Sequence, residues 1–485
     1  MTTLYKHQSE AIAFAIKNSG NIALFHEPGL GKTLTALEIF KHYRVQEPGL
    51  RMLVVCPLSL INAAWGEDIK KFTEFKYLPY SEVKNVGRGR PGCLLDADIV
   101  GINYESMIVA SRLKEIRGLL TAGSWMLVVD ESSRMKNPKS ITTKALLQLG
   151  PWAKHRVVAS GTPASNGEWE YWAQGRFVQP DCYSDSFYAF RNNYFHLARN
   201  GQVLEMRGRV MTRGMMAEIF QKGFKYQITD ANRSTLIERM APFAHWVRKE
   251  EALDLPEKID EVRLVRMNPN ERKAYNEMKR HLVTEIKTGR VVGGQQEVKT
   301  VTSEVALSKL MKLRELTSGA VYDEDHNILR PGRSSKLREL GDVLEEFGDK
   351  QVIIWINFKF EVEAISEMLK EDGKTFTTLY SGTEDKDASI KGFQDGTFQV
   401  LIANSHSAAH GLTFVNCSNC VYFSLDYSYE SYVQSRDRVH RIGQKNSCLY
   451  IHLIAENSID QMVLAVLQRK KNLQDIIYEL VKQED

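Results

Sequence analysis

Residues His26-Glu-Pro-Gly-Leu-Gly-Lys-Thr33 place two glycines, a lysine and a hydroxyl within one short loop. The apolar run Asn21–Phe25 precedes them and the helix-forming run Leu34–Phe40 follows. Strand, glycine loop and helix in that order make a cradle for the phosphates of a nucleoside triphosphate. Gly29 and Gly31 let backbone N–H groups turn toward phosphate oxygens, Lys32 brings a point charge to the β/γ-phosphates, and Thr33 offers a hydroxyl to Mg²⁺. His26 stands where the usual spacing has glycine. With Glu27, Pro28 and Leu30 it completes the loop, and the rest of the chain must supply the other half of the chemistry.

Asp130-Glu131 closes the apolar run Trp125–Val129, at the strand end where open parallel sheets bind ligands. There Asp130 would hold Mg²⁺ and Glu131 would orient and deprotonate the attacking water. An isolated Asp-Glu is ordinarily a solvated acidic turn; the phosphate loop upstream reverses that reading. A third group is Gln434-Ser-Arg-Asp-Arg-Val-His-Arg-Ile-Gly-Gln444. A helix from Tyr432 onward would put Gln434, Arg438 and Arg441 on one face, at i, i+4 and i+7. Planar cations reaching a γ-phosphate from a second body assist phosphoryl transfer. The alternative is an exposed basic helix face.

Two sets of elements are expected to position these groups. Short apolar runs at Ile22–Phe25, Met52–Cys56, Ile99–Ile102, Met126–Val129 and Val157–Ser160 alternate with helical stretches. A second set follows at Val352–Ile356, Thr375–Leu379, Val400–Ala403, Val421–Ser424 and Tyr450–Ile454. Continuous apolar runs of this length predict strands buried on both faces of parallel sheets. Between the sets, Ser184–Leu197 is aromatic-rich, Asn270–Ile286 and Ser303–Leu316 have helical spacing, and Gly289–Thr302 reads as a loop or hairpin. Ser458–Leu480 predicts an amphipathic helix pair.

The chain has 485 residues, 43% hydrophobic and 26% charged, with a net charge of +4. Those values fit a soluble globular protein of about two to three domains, and the charge permits nucleic-acid binding without demanding it. Six cysteines are too few for a disulfide framework. Cys417 and Cys420 could form half a zinc site, yet no second pair stands near, so buried thiols are expected. No apolar run approaches the roughly 20 residues of a membrane helix, and the N-terminus lacks a signal-peptide pattern. The expectation is a soluble intracellular protein with no membrane partner.

Taken together these strings resemble the superfamily 2 helicases, specifically the SWI/SNF-type DNA-translocating ATPases. His440-Arg441-Ile442-Gly443-Gln444 with Asp437-Arg438 is similar to that family's most distinctive string. Leu4-Tyr-Lys-His-Gln8 resembles its adenine-side glutamine motif, and Glu27–Thr33 its first motif. Leu53–Ser59 followed by Trp65 is similar to motif Ia, Ile102–Glu105 to Ib, Asp130–Asn137 to II, Ser160-Gly-Thr-Pro163 to III, Ile353–Trp355 to IV and Ser407–Phe414 to V. Within the family the wording Gly411-Leu-Thr-Phe414 is nearest to the HepA-related annealing-helicase branch. Ser132-Ser133 departs from the pattern, because relatives usually end motif II in a histidine that couples the nucleotide site to motif III.

The resemblance implies two RecA-like parallel-sheet lobes in tandem, an α/β fold with helical protrusions between them. Lobe 1 is expected over 1–229 with a protrusion from about 180, a linker and lobe 2 protrusion over 230–332, and lobe 2 over 333–485. ATP with Mg²⁺ would bind between the lobes, contacted by Gln8, residues 26–33 and Gly411, with Thr33 and Asp130 on the metal. Duplex DNA would lie across both lobes. Its implied contacts are Ser59, Asn103, Tyr104, Lys136, Asn137, Asn357, Lys359, Ser381, Gly382 and Ser407, small polar groups that hold phosphates without reading sequence. The basic stretch Arg199–Lys225 is either a further backbone contact or a solvated protrusion. No accessory domain is expected around this motor, which is expected to act as a monomer and points to a bacterial, phage or other mobile-element origin. A strand-separating helicase acting on single-stranded DNA or RNA, and a non-catalytic DNA-binding scaffold, are the alternative readings.

Overall fold

The computed structural model describes residues 4–482 apart from 84–91, 200–201, 205–214, 217–218, 221, 223, 288–290, 293–294, 297–302, 324 and 406–411. Two compact units divide the chain, one running to Leu253 and one from Asp254 to Lys471, with the stretch from Asn472 grouping with the first.

The first unit is built on seven strands: β1 (Ile22–His26), β2 (Arg51–Cys56), β3 (Tyr77–Pro79), β4 (Ile99–Asn103), β5 (Trp125–Asp130), β6 (His155–Ala159) and β7 (Ala244–Val247). They pair in the order β7-β1-β6-β5-β2-β4-β3, every pair parallel. Because successive side chains of a strand point to opposite faces, each strand feeds two cores. Ala23, Phe25, Leu53, Val55, Leu127 and Val129 enter one cluster. Ile22, Leu24, Met52, Val54, Met126 and Val128 enter the other. Each such Val, Leu, Ile, Met or Phe side chain contributes about 1.5–3 kcal/mol of burial, which explains why the runs are apolar without alternation.

The second unit repeats the plan with β8 (Lys258–Val265), β9 (Val352–Ile356), β10 (Phe376–Leu379), β11 (Val400–Asn404), β12 (Asn419–Tyr422) and β13 (Cys448–Ala455). Their order is β8-β13-β12-β9-β11-β10, again parallel throughout. Ile353 and Trp355 face one core cluster, and Val352, Ile354 and Ile356 the other. A buried ion pair braces this unit: Lys336 Nζ lies 2.6 Å from Asp460, whose other oxygen accepts from Thr317 at 2.8 Å. The chain is therefore α/β with two parallel sheets, as the apolar runs predict.

Three points differ from the sequence reading. Strands β7 and β8 lie inside the stretch 230–332 that was assigned to linker and protrusion, and one joins each sheet. The C-terminal segment is one continuous helix, Ile459–Lys482, instead of a pair. The helix expected to carry Gln434, Arg438 and Arg441 spans Tyr429–Arg436 and stops short of both arginines. Helices at Pro269–Lys287 and Ser303–Thr317 match the spacing, and Val291–Val292 pairs antiparallel with Gln295–Gln296 within the expected hairpin. Cys417 is a buried thiol that donates to the carbonyls of Gln351 and Asn419, and burial pushes its pKa up to about 12. No helix of the described residues is long and apolar enough to cross a membrane.

Candidate functional site

Three loops leave neighbouring strands of the first sheet at their carboxyl ends: 27–31 after β1, 160–163 after β6, and Asp130-Glu131 at the end of β5. Gly29 and Gly31 adopt φ of 86° and 72°, the left-handed region that glycine enters without penalty. The helix Lys32–Gln46 begins directly after Gly31, so its free N–H groups open toward the loop. Lys32 Nζ folds back onto the loop, donating to the carbonyls of His26 at 3.0 Å and Glu27 at 3.5 Å. Gln8, 2% exposed, accepts from the Tyr5 amide and points its own amide at the carbonyls of Leu30 and Gly31. The His7 ring nitrogen Nε2 meets the Leu30 carbonyl at 3.0 Å. Gly161 packs so closely that a Cβ there would lie 2.5 Å from Pro28. Thr33 is half-buried in the first helical turn.

His26, in the position where glycine is usual, is wholly buried and shares a 2.8 Å hydrogen bond with His245 of β7. Burial above all, then the charges at His245, Lys32 and His7, lower its pKa well below the usual value. It is a neutral structural tie between the loop and the edge strand. Glu27 accepts from the Lys249 amide at 2.9 Å just beyond that strand.

Asp130 is buried at the end of β5. Its Oδ2 accepts from the Trp65 indole at 2.9 Å, and Oδ1 accepts from the Glu131 amide at 2.9 Å. Burial raises the Asp130 pKa, opposed by the Lys32 charge, the indole and that amide. Ser132 donates at 2.7 Å to Gln174 Oε1, and Gln174 Nε2 donates at 2.6 Å to the Pro163 carbonyl. Gln174 thus joins the acidic turn to the 160–163 turn, in a chain whose acidic turn lacks the usual histidine. Sequence reading missed Gln174, His245 and the donor role of Trp65, because contacts between distant residues leave no local pattern.

In the second unit Arg438 and Arg441 lie in turns past the helix end, the second of them just before Gly443 at φ 101°. Both guanidinium groups donate to the Leu412 carbonyl, at 3.1 and 3.2 Å, and Arg441 also donates to Thr413 Oγ1 at 2.7 Å. Gln434 is buried, and its carbonyl accepts from Arg438 Nε at 3.2 Å. The turns bring the two guanidinium groups to one carbonyl, while Gln434 meets Arg438 through its backbone carbonyl.

The expected nucleic-acid contacts fall on strand-end loops. Ser59 follows β2 and is exposed, as are Asn137, Lys359, Ser381 and Gly382. Asn103 is bonded to Glu105 and Ser106, Lys136 reaches Ser165 Oγ at 3.3 Å, and Asn357 donates to Ser424 Oγ. Tyr104 differs: it is 3% exposed, with its hydroxyl turned inward to the carbonyls of Asp130 and Glu131. Its implied contact with nucleic acid is corrected accordingly. Ser407, Gly411 and much of 199–225 lie outside the described residues.

The family described as SNF2-related domain matches residues 7–319, and the helicase conserved C-terminal domain matches 335–443. The chain belongs to the SNF2-related family. It is an SNF2-family ATPase of helicase superfamily 2. A putative protein, p41, of Acyrthosiphon pisum secondary endosymbiont phage 1 is 24% identical over 94% of this chain and 93% of its own length. The nuclear protein STH1/NPS1 of Saccharomyces cerevisiae is 23% identical over 97% of this chain, which spans 34% of that relative. The Caenorhabditis elegans homolog of the SWI/SNF-related regulator of chromatin subfamily A-like protein 1 is 23% identical, with 96% of this chain and 61% of its own length covered. Among solved structures, the Sulfolobus solfataricus SWI2/SNF2 ATPase core in complex with dsDNA aligns over 97% of this chain and 92% of its own, at 23% identity and a TM-score of 0.42.

Proposed function

We propose that this SNF2-family ATPase is a translocase that spends ATP to move along double-stranded DNA. The observation that carries the reading is the grouping of three loops on adjacent strand ends: a glycine cradle with Lys32, the 160–163 turn, and the Asp130-Glu131 pair. In this reading the cradle grips the β- and γ-phosphates and Glu131 takes the proton from the attacking water. Arg438 and Arg441 stabilise charge on the γ-phosphate. ATP binding would draw the two arginines away from the Leu412 carbonyl, and product release would return them.

The oxygen donors Thr33 and Asp130 suit Mg²⁺, a hard cation that takes one or two protein oxygens and completes its shell with water and phosphate. Bound there, Mg²⁺ would neutralise phosphate charge. The exposed small polar groups after β2 and β5, and those after β9 and β10, suit a DNA backbone gripped without regard to sequence. The domain bounds read from sequence remain our proposal for the functional lobes, with β7 and β8 assigned to the sheets they join. Within the family we place the chain in the HepA-related branch, on the string Gly411–Phe414, which predicts ATP-dependent annealing of complementary strands.

One experiment separates the readings. ATP turnover is measured with duplex DNA, single-stranded DNA and RNA, while triplex displacement and strand unwinding are scored in parallel. Duplex-stimulated turnover with triplex displacement and no unwinding is the expected result. Unwinding would reassign the protein as a strand-separating helicase, and absence of hydrolysis with every polymer would leave a DNA-binding scaffold.

A further inference from the structure

Glu131 carries a side chain yet sits in the left-handed region, at φ 51° and ψ 52°. Such residues cost energy and persist only where their surroundings over-determine them, which concentrates them at working sites. Here the over-determining group is identifiable. The Tyr104 hydroxyl approaches from the end of β4 and lies 2.6 Å from the Asp130 carbonyl and 3.2 Å from the Glu131 carbonyl. These two carbonyls belong to the peptide planes on either side of the Glu131 Cα. Rotation of the first plane is φ and rotation of the second is ψ, so one hydroxyl proton shared between the two carbonyls, mainly with Asp130, restrains both angles.

The Tyr104 ring packs in the apolar core of the first unit and leaves its hydroxyl facing the turn. Its ring is buried beneath Arg134, whose guanidinium carbon is 5.5 Å from the ring centre. Arg134 pairs with Glu105 at 3.4 Å, and these two side chains are 40% and 57% exposed. Any polymer arriving at this loop meets Asn103, Glu105 and Arg134 before it could meet the tyrosine.

We propose that Tyr104 is a positioning residue for hydrolysis: its hydroxyl locks the strained turn and thereby aims the Glu131 carboxylate, and it makes no contact with nucleic acid. The inference rests on the ATPase reading above. It differs from that reading in assigning a kinetic role to a group that touches neither nucleotide nor DNA.

Tyr104→Phe tests it, since only the hydroxyl oxygen is removed and the ring still fills its space. The expected result is a fall in kcat of about tenfold, the scale of losing one hydrogen bond from the turn, with and without DNA. KM for ATP and affinity for duplex DNA stay within about twofold by the same reasoning. Trp65→Phe serves as the second variant, because it removes a buried donor from the Asp130 side chain in the same turn. It should weaken binding of a fluorescent ATP analogue in Mg²⁺, a step that Tyr104→Phe leaves unchanged, whatever its own effect on kcat. Unchanged kcat in Tyr104→Phe would overturn the proposal, as would weaker duplex binding with kcat preserved at saturating DNA. Equal kcat losses in both variants, tracking equal losses of melting temperature, would also overturn it by showing general loosening. Wild-type protein run alongside separates the two levels: no hydrolysis by wild type removes the ATPase reading, whereas an active wild type matched by Tyr104→Phe removes only this inference.

Discussion

The first unit fixes its phosphate-handling groups by buried hydrogen bonds: Gln8 and His7 onto the loop backbone, Trp65 onto Asp130, and Gln174 between Ser132 and Pro163. The second unit holds its two arginines differently. They stand in turns beyond a helix end and donate to the Leu412 carbonyl and the Thr413 hydroxyl, with Arg438 Nε also on the Gln434 carbonyl. Lys32 shares that second arrangement, since its ammonium rests on the carbonyls of His26 and Glu27, so the contrast separates the held loop and acidic pair of the first unit from cations that must first give up an acceptor. Changes that disturb the held loop should therefore weaken nucleotide binding, whereas loss of Glu131 or of a second-unit arginine should act on the hydrolytic step.

Glu131→Gln should give the largest effect, lowering turnover by about 10²–10⁴-fold, as loss of a general base does, while ATP binding by equilibrium titration is retained. Near-normal turnover would take Glu131 out of that role. Arg441→Ala should reduce DNA-stimulated hydrolysis by a factor on the order of 10³ and leave nucleotide affinity in place; an equal loss of affinity would erase the distinction between the units. Gly161→Ala sharpens the comparison within the first unit. Its new methyl would lie 2.5 Å from Pro28, so the loop must shift, and ATP affinity should fall by about tenfold, within the usual 1–3 kcal/mol of overpacking.

The smallest effect is on stability against pH. Burial lowers the pKa of His452 in the second unit from 6.5 to about 4, and that of His26 in the first well below 6.5. Both are neutral when folded, whereas the unfolded chain takes up protons near pH 6.5. The His452 contribution is complete above that pH and is lost as the pH falls toward 4, at about 1.4 kcal/mol per unit, and His26 acts in the same direction. Calorimetry from pH 7.5 to about pH 4.5 measures this, and His452→Gln should flatten the curve. A flat wild-type curve would contradict the assignment.

All ten strands expected from apolar runs are present, because strands covered on both faces cannot alternate with polar residues. The three strands of the two parallel sheets that were not anticipated lack that signal, and Tyr77–Pro79 is only three residues long. Lys258–Val265 is an edge strand with Ile259, Val262 and Leu264 exposed, and Ala244–Val247 is interrupted by His245. The helix end at Arg436 also escaped prediction, since no glycine or proline interrupts the spacing until Gly443. At the site, the loop residues and the acidic pair were readable because their chemistry is local in sequence. Tyr104 was misread for the opposite reason: a tyrosine in a loop motif looks available to a polymer until its partners, more than twenty residues away, are known.

Gln174 offers a constraint on how this chain can vary. Its amide oxygen is committed to one turn and its amide nitrogen to another, in a place closed to water. Exchange of Ser132 for alanine alone strands a buried acceptor, and exchange of Gln174 alone strands a hydroxyl and a carbonyl, each a penalty of about 1–3 kcal/mol. Substitution of both together removes the Ser132 donor and the Gln174 acceptor at once and leaves the Pro163 carbonyl without its Gln174 donor. Descendants of this sequence should therefore change these two positions as a pair, and a double-mutant cycle should return a large non-additive coupling between them.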